Sequence, residues 1–361
     1  MEFHIAVLPG DGIGPEVITP SLDVLAAACI AVGGLKLEFT TLEAGALVYR
    51  ERGVAIAEET IQAAEATDAV LLGAMGLPEV RYPDGREIAP QVDLRELWEL
   101  FAGVRPVRAV PGSPLPLADA RAAAIDFVLV REQTEGLFAA RGKTEQTADE
   151  ARDVQVITRA ASERLFDFCF KLAERRKGKG HPGRLTCVDK ANVLGSMVFF
   201  RRIFDERAKR FPEVEARHRY VDAMALDLIK HPWNFDVMVT ENMYGDILSD
   251  LAAGLMGGLG MAPSADIGHN RAVFQPCHGS APDIAGEGKA NPTATFLSAA
   301  LMLDWLAERA GEPKAEAAAE LIRRAVDDAY AGGDLKPCEF GGPDGTAAVT
   351  RRVLAAMKAP A

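Results

Sequence analysis

An acidic segment in the second half of the chain has the spacing of a metal site. In the run VTENMYGDILSD, Asp246 and Asp250 lie four residues apart, directly after an apolar stretch. Residues at i and i+4 share one face of a helix, and Mg²⁺ and Mn²⁺ prefer carboxylate oxygens as ligands. Asp222, in RYVDAMALDLI, is a third candidate ligand. Alternatively, these aspartates only interact favourably with helix N-termini.

Three arginines are candidates for binding a substrate carboxylate. Arg95 and Arg105 flank a predicted helix over Leu94–Ala102, and Arg131 ends the apolar run DFVLVR. A guanidinium group at a strand end can hold a carboxylate through two parallel hydrogen bonds. Each arginine alone could equally form a surface ion pair, so the hypothesis depends on their lying together near the aspartates.

Lys190 is the candidate general base. It directly follows the apolar run LTCVD, and a nearby cation would lower the pKa of its ammonium group enough for it to accept a proton. The alternative is a structural salt bridge to Asp189 or to another neighbour.

The segment QPCHGSAPDIAG has the small, polar residues of a nucleotide-binding loop. Asp283 could accept hydrogen bonds from ribose hydroxyl groups, a role that favours NAD over NADP. The segment LPGDGIGPEV follows a predicted strand and opens a predicted helix, so its glycines indicate a tight turn that closely approaches another group. The G-x-G-x-x-G match at residues 178–183 precedes a strand instead of following one, which is the wrong context for a dinucleotide fingerprint.

Short apolar strands that alternate with helical patterns predict an α/β protein with a substantially parallel sheet. We predict helices from Thr158 to about Arg176 and after Asn291-Pro292, and a helical face formed by Leu94, Leu97, Trp98 and Phe101. The predicted strands are Phe3–Leu8, Lys36–Leu42, Ala69–Ala74, Phe127–Val130, Leu185–Val188, Val237–Thr240 and Ala272–Phe274.

The composition excludes several classes of protein. Of the 361 residues 48% are hydrophobic, which is enough for a large core, and the net charge of -12 argues against a nucleic-acid-binding role. We find no signal peptide and no run of about 20 apolar residues, and therefore expect no membrane span. The five scattered cysteines, with no C-x-x-C pair, predict free thiols in a cytoplasmic protein.

Six motifs in order resemble one known family over essentially the whole chain. LPGDGIGPEV, LR…VRP, REQTEG, VDKANVL, GDILSD and HGSAPDIAG are similar to motifs of the β-decarboxylating dehydrogenases, which act on isopropylmalate, isocitrate, homoisocitrate, tartrate or D-malate. The resemblance implies two α/β domains with mixed sheets, distinct from the Rossmann fold. Residues 1–100 with 256–361 would form the cofactor-binding domain. Residues 101–255 would form the dimerisation, metal and substrate domain, with an intersubunit arm near 141–156.

The resemblance also implies roles for individual residues. Lys190 and Asp222 would enter each active site from the partner subunit of a homodimer, with Lys190 as the base. Asp222, Asp246 and Asp250 would hold Mg²⁺ or Mn²⁺. NAD would be the cofactor, in keeping with Asp283. The substrate contacts would be Arg95, Arg105, Arg131, Gln91 and Val92, and the cofactor contacts would be Ile13, His278, Gly279, Ser280, Ala281, Asp283 and Asn291.

Three positions depart from the usual family pattern. Phe138 replaces a tyrosine that is thought to protonate the enol, so a water or Tyr244 would have to donate that proton. Gln275 stands where many members have glutamate. Gln91 and Val92 replace two leucines of the isopropylmalate enzymes, and an unpaired amide against an isopropyl group would cost about 1–3 kcal/mol.

The main hypothesis is oxidation and decarboxylation of a (2R)-hydroxy acid of the malate type, like that of 3-isopropylmalate dehydrogenase. A tartrate or D-malate dehydrogenase is the alternative among enzymes. A non-catalytic regulatory subunit of the same fold is the alternative outside them, although such relatives typically lose the metal or base residues that this chain keeps.

Overall fold

One ten-stranded mixed sheet runs through the computed structural model, which describes residues 1–358. The order of its strands is β2-β1-β3-β12-β11-β4-β5-β10-β8-β9, and β6 and β7 form a separate two-stranded sheet. The strands are β1 (Glu2–Gly10), β2 (Lys36–Thr41), β3 (Ala69–Ala74), β4 (Ala102–Arg108), β5 (Asp126–Glu132), β6 (Glu145–Gln146), β7 (Ala151–Arg152), β8 (Arg184–Asp189), β9 (Glu215–Tyr220), β10 (Val237–Thr240), β11 (Pro263–Ile267) and β12 (Ala272–Pro276).

Helices cover the sheet, and α1, α9 and α10 pack together over its first half. The α-helices are α1 (Gly14–Val32), α2 (Ala46–Arg52), α3 (Glu58–Glu65), α4 (Pro90–Leu97), α5 (Arg159–Gly178), α6 (Gly195–Ala208), α7 (Val221–Lys230), α8 (Asn242–Leu255), α9 (Thr293–Ala310), α10 (Pro313–Tyr330) and α11 (Thr346–Ala356). Thr158 caps α5 as expected, because its Oγ1 accepts a hydrogen bond from the N–H of Ala161 (3.3 Å).

The sheet is parallel at both ends and antiparallel in the middle, where β12, β11, β4 and β5 are neighbours. The order divides between β11 and β4. Every strand on one side comes from residues 1–100 or 256–361, and every strand on the other side comes from residues 101–255. Both halves share one continuous sheet, and their treatment as two domains stays a prediction.

Each of the seven predicted strands is present, but the central antiparallel part was largely missed. Five strands were not predicted: β4, β9 and β11 of the large sheet, and the two-residue strands β6 and β7. The predicted helix Leu94–Ala102 is wrong at its C-terminal end, because α4 stops at Leu97 and Ala102 already begins β4. A short apolar run with helical spacing cannot by itself be distinguished from the end of a helix followed by a buried strand.

The glycines of the LPGDGIGPEV turn allow two backbones to approach closely. Gly10 has φ +77°, and a Cβ at this position would lie 1.8 Å from the carbonyl oxygen of Ala74. A Cβ on Gly12 would lie 2.0 Å from the carbonyl oxygen of Ser280. Asp11 between them is buried and accepts hydrogen bonds from three backbone N–H groups, those of Ala46, Leu47 and Gly76. The turn therefore joins β1, the start of α2 and the segment that contains Ser280.

One helix, α1, is long and apolar enough by length and composition to cross a membrane, although Glu16 and Asp23 interrupt its apolar residues. This helix packs against β1, β3 and the helices α9, α10 and α11. Its buried residues include Val17, Ile18, Val24 and Leu25, and those contacts account for its apolar composition as a core helix.

The G-x-G-x-x-G match lies at the end of α5 and in the turn before β8, as expected for a simple connection.

We expect Gly10→Ala to destabilise the protein much more than Gly53→Ala. Both glycines have positive φ (+77° and +74°), but a Cβ on Gly53 meets nothing within 4 Å. The control should lower the free energy of unfolding by about 1 kcal/mol, whereas the clash at Gly10 should cost roughly 3 kcal/mol or more. Urea unfolding of both variants measures the difference. Equal losses would contradict the close approach at Gly10.

Candidate active site

One face of the antiparallel centre of the sheet carries polar residues in a region where the other face is apolar. Directly opposed residues on neighbouring strands point to the same side, and Gly103 on β4 is opposed by Arg131 on β5 and by Asp266 on β11. Arg105 and Gln275 join that face by the two-residue period of their strands. The other face places Val104, Val130, Ala265 and Phe274 in the main hydrophobic core.

Asp266 is the buried centre of this polar face. Its side chain is 1% exposed, and it accepts hydrogen bonds from Arg95 Nε (2.8 Å), Gln133 Nε2 (2.9 Å) and Gln275 Nε2 (2.7 Å). Burial alone would raise the pKa of this carboxyl group, but the guanidinium groups of Arg95 and Arg105 lower it. Asp266 is therefore an ionised carboxylate with all its neighbours donating to it.

Arg131 links the arginines to the candidate metal ligands. The guanidinium is buried, its Nε donates to Asn242 Oδ1 (2.9 Å), and its Nη1 forms an ion pair with Asp246. Burial lowers the pKa of Arg131 to about 10, with Asp246 opposing the shift and Arg95 and Arg105 adding to it. Arg131 and Asp266, the ion-pair partner of Arg95, both lie opposite Gly103 in the sheet, and Arg105 follows Gly103 by two residues, so all three arginines belong to this face.

Arg105 retains an unused hydrogen-bond donor. Its Nη1 donates to Cys277 Sγ (2.8 Å), and its Nε is buried with no hydrogen-bond partner among the described residues. A buried, unsatisfied guanidinium nitrogen is energetically unfavourable. Binding of a carboxylate ligand would remove that penalty.

Asp246 and Asp250 lie one turn apart near the beginning of α8, directly after β10. Glu241 caps this helix by accepting hydrogen bonds from the N–H groups of Tyr244 (2.7 Å) and Met243 (3.1 Å). The pKa of Asp250 is raised by partial burial and by the negative charge of Asp246. A cation between the two carboxylates would relieve that repulsion, so the pair fits a hard divalent ion.

Lys190 and Asp222 form a pair of their own. Lys190 Nζ donates to Asp222 Oδ1 at 2.6 Å, and this hydrogen bond lowers the pKa of Asp222. The alternative partner, Asp189, is instead bound by Arg201 through both carboxylate oxygens (2.7 and 2.8 Å). Asp222 is 67% exposed.

The three predicted metal ligands do not meet within one chain. In residues 1–358, the groups of three possible ligand atoms within 4.8 Å of one another are Cys187, Asp189 and His218, and Glu2, His4 and Glu38. Asp222 is in neither group, and neither are Asp246 and Asp250. A site that uses all three aspartates therefore needs Asp222 from a second subunit or a movement of the chain.

A cavity of about 360 Å³ collects several predicted cofactor residues from distant parts of the sequence. Ile13, His278, Ala281 and Asn291 line it, together with Leu259, Gly260, Ile284, Lys289, Ala290, Cys338 and Glu339. Three predicted residues lie outside this lining. Gly279 and Asp283 are exposed, and Ser280 is buried with its hydroxyl bonded to the carbonyl oxygen of Gly76.

His278 presents an acceptor without a partner. Its Nδ1 lies 2.9 Å from the carbonyl oxygen of Gly279, which can only accept, so Nδ1 carries the proton. Burial lowers the pKa of His278 and keeps its ring neutral. Nε2 is consequently an acceptor, and it is buried with no partner among the described residues. A hydrogen-bond donor on a ligand in the cavity would satisfy it.

Gln91 and Val92 lie in the first turn of α4, one turn before Arg95, and both are partly buried. The carbonyl oxygen of the Gln91 side chain is buried without a hydrogen-bond partner in the described chain. Phe138 is 41% exposed, and the Arg131 guanidinium lies 5.1 Å from the centroid of its ring. Two of the departures from the family pattern, Phe138 and the pair Gln91 and Val92, therefore lie near Arg131 and Arg95 respectively.

Several functional residues were not found from the sequence. Asp266 and Gln133 organise the arginines, Asn242 holds Arg131, and Glu339 bonds both Gly260 N–H (2.9 Å) and Asn291 Nδ2 (3.1 Å) at the cavity. A charged residue inside the apolar run PSADIG was the available signal for Asp266. Nothing comparable distinguished Glu339, which lies in a polar loop.

Comparisons with known proteins match this chain over nearly its whole length. A profile described as "Isocitrate/isopropylmalate dehydrogenase" matches residues 4–353. The 3-isopropylmalate/3-methylmalate dehydrogenase of Methanocaldococcus jannaschii is 46% identical over 88% of this chain and 90% of its own. The isocitrate/homoisocitrate dehydrogenase of Thermus thermophilus is 43% identical over 99% of both. The solved isocitrate dehydrogenase of Methylococcus capsulatus superposes with a TM-score of 0.85 at 34% identity, over 99% of this chain and 100% of that one.

The mixed sheet, the arginines beside paired aspartates and these matches define a decarboxylating dehydrogenase, an oxidoreductase that acts on a CH–OH group. The chain belongs to the isocitrate/isopropylmalate dehydrogenase family. The predicted family and fold are thereby confirmed. The site assignments remain predictions supported by the geometry above.

We expect Arg131→Lys to lower kcat/KM by roughly 100-fold or more, because an ammonium group cannot donate simultaneously in the planar directions of Asn242 and Asp246. Steady-state kinetics measures the loss. Arg176→Lys is the matched control, since Arg176 is also largely buried and pairs with Asp236 (2.5 Å) and Asp126 (2.9 Å) at the N-terminal ends of β10 and β5. Comparable losses in both variants would remove the special role of Arg131.

Proposed function

We propose that the chain is an NAD-dependent enzyme that uses Mg²⁺ or Mn²⁺ to oxidise and decarboxylate a (2R)-malate with a substituent at C3, with 3-isopropylmalate as the leading candidate. The observation that carries the proposal is the buried Arg131, which bonds Asn242 and Asp246 on the sheet face that also carries Arg105 and Asp266, the partner of Arg95. To bind a hydroxy acid with two carboxylates, a site needs hydrogen-bond donors for those carboxylates and protein carboxylates for the metal ion. The relatives named as acting on isopropylmalate, methylmalate, isocitrate and homoisocitrate support the substrate class.

Asp246 and Asp250 would hold the metal with Asp222 of a partner subunit. The ion supplies Lewis acidity at the substrate hydroxyl and its adjacent carboxylate when bound. Arg95, Arg105 and Arg131 would hold the substrate carboxylates, and the unpaired Arg105 Nε offers one donor already free for that purpose. The buried position of Arg105 and Arg131 excludes water from these contacts and strengthens them.

Lys190, after losing its ammonium proton near the bound cation, would accept the hydroxyl proton directly or through a water, and NAD⁺ in the cofactor site would supply the hydride acceptor. Its ammonium is 25% exposed and bonded to Asp222 in the single chain, so it is accessible from the outside of the subunit. Phe138 has no proton to donate after decarboxylation. Water reaching the exposed edge of its ring, or Tyr244 on α8, would supply it.

The cavity that Ile13, His278, Ala281 and Asn291 line is the proposed cofactor site. The acceptor Nε2 of His278 fits a ligand with a hydrogen-bond donor, such as the amino group of an adenine ring. Asp283 is exposed and carries a negative charge near this loop, which suits ribose hydroxyl groups and repels an additional phosphate. These features support NAD over NADP.

Shared active sites in a homodimer are part of the proposal. Most exposed large apolar residues lie in the 101–255 half, among them Val193 and Val198 after Lys190, Leu226 and Ile229 on α7, and Ile247 on α8. The hairpin β6–β7, within the predicted arm, is exposed as well. Apolar surface that lies beside Lys190 and Asp222 is where a second subunit would complete the metal site.

We expect 3-isopropylmalate with NAD⁺ and Mn²⁺ to give the highest kcat/KM in a series that also contains 3-methylmalate, isocitrate, homoisocitrate, D-malate and tartrate. The rate of NADH formation at 340 nm gives kcat/KM for each substrate. EDTA should abolish this activity, and NADP⁺ should be a poorer hydride acceptor than NAD⁺. No activity with any member would sink the proposal. A preference for tartrate or D-malate would instead assign the buried Gln91 oxygen to a polar substituent.

Complementation tests the shared site. Lys190→Met and Asp246→Asn should each be nearly inactive, but heterodimers formed by mixing and refolding them contain one intact site of two. Random pairing at equal amounts should restore about a quarter of wild-type activity. Mixing Lys190→Met with Asp222→Asn is the control and should restore none, because both residues enter a site from the same subunit. Recovery in the control, or none in the first mixture, would refute this arrangement.

A further inference from the structure

Both carboxylate oxygens of Asp266 accept hydrogen bonds from protein donors, and the side chain is 1% exposed, so it is shielded from substrate. Its Oδ2 accepts from Arg95 Nε and Gln275 Nε2, and its Oδ1 accepts from Gln133 Nε2. Gly103 makes the third bond possible, because a Cβ at that position would lie 2.5 Å from Gln133 Nε2. The arrangement uses three strands and the segment after β5 to bury one negative charge.

The bond from Asp266 also determines which part of Arg95 remains available. Asp266 binds Nε, so this ion pair leaves the two terminal nitrogens of Arg95 out of the contact. Two terminal nitrogens side by side match the two oxygens of a carboxylate. Anchoring Arg95 through Nε thus orients its terminal pair for a ligand.

A neutral side chain at position 275 fits a site in which Asp266 is the single carboxylate beside Arg95. Gln275 Nε2 donates to Asp266 at 2.7 Å. A glutamate at 275 would bring a second carboxylate to that distance, and two such groups could not both stay ionised. The neutral amide on β12 and the carboxylate on β11 therefore form a matched pair in which the negative charge lies on β11.

We propose that Asp266, with Gln275 as its neutral partner, is a positioning residue that fixes Arg95 for a substrate carboxylate. The proposal rests on the proposed function insofar as Arg95 binds substrate. Asp266 acts through Arg95 and not on the reacting atoms. Its contribution therefore belongs to substrate affinity more than to turnover.

Three variants test whether Arg95 needs a negative charge beside it and whether that charge can lie on β11 or on β12. Asp266→Asn keeps the shape and, after rotation of the glutamine amides, most hydrogen bonds, but it removes the charge that holds Arg95. We expect KM and the calorimetric Kd for the substrate to rise about 10-fold or more, with kcat within about threefold. Gln275→Glu should also raise KM. The double variant Asp266→Asn/Gln275→Glu moves the carboxylate to β12 and should return KM to within about threefold of wild type.

Asp236→Asn is the matched control. Asp236 is equally buried and accepts from an arginine Nε, that of Arg176 (2.5 Å), but it precedes β10 and lies at the other end of the strand from Asp246. It should lower the melting temperature without changing KM. The inference is overturned if Asp266→Asn leaves KM unchanged, lowers kcat alone, or is not rescued by the double variant. Failure of the proposed function would give a different result from failure of this inference, because the wild-type enzyme itself would then be inactive.

Discussion

Mutual repulsion among three guanidinium groups on one face of the sheet is the constraint that the rest of the site satisfies. Arg105 and Arg131 are buried, and Arg95 is mostly so. Isolated charges in such an environment are strongly unfavourable. Asp266 compensates them from β11, and Asp246 does so from α8. After this compensation, arginine N–H donors still remain without acceptors. A site of this kind favours an anionic ligand, although the protein as a whole is acidic.

The antiparallel centre of the sheet is what makes this balance possible. Opposed residues on β5, β4 and β11 fall on the same side, so residues 131, 103 and 266 form one row although they are distant in sequence. Glycine in the middle of that row leaves space for the Gln133 amide. The apolar residues between them fill the core on the other face, and the same strands therefore anchor the fold and present the site.

The site within one chain is incomplete in a specific way. The arginines, Asp246 and Asp250 are together, while Lys190 and Asp222 form a separate and more exposed pair. Exposed apolar residues follow Lys190 in the chain and lie on α7, the helix that carries Asp222. The proposed base and metal ligands thus lie on two surfaces, which is the physical reason for proposing that activity depends on assembly.

The sequence by itself determined the family, the α/β class and most strands, because buried strands and glycine turns leave local patterns. It also indicated Arg131, Asp246 and Lys190 as candidate site residues, since charged residues at or shortly after the ends of apolar strands stand out. Residues that act through distant partners left weak signals or none. Asp266 acquires its role only when β11 pairs with β4 and β12, and Glu339 only when its loop reaches Asn291. The end of α4 was likewise decided by β4, because the pairing of Ala102 with β11 and β5 outweighs a helical pattern that the local sequence could also satisfy.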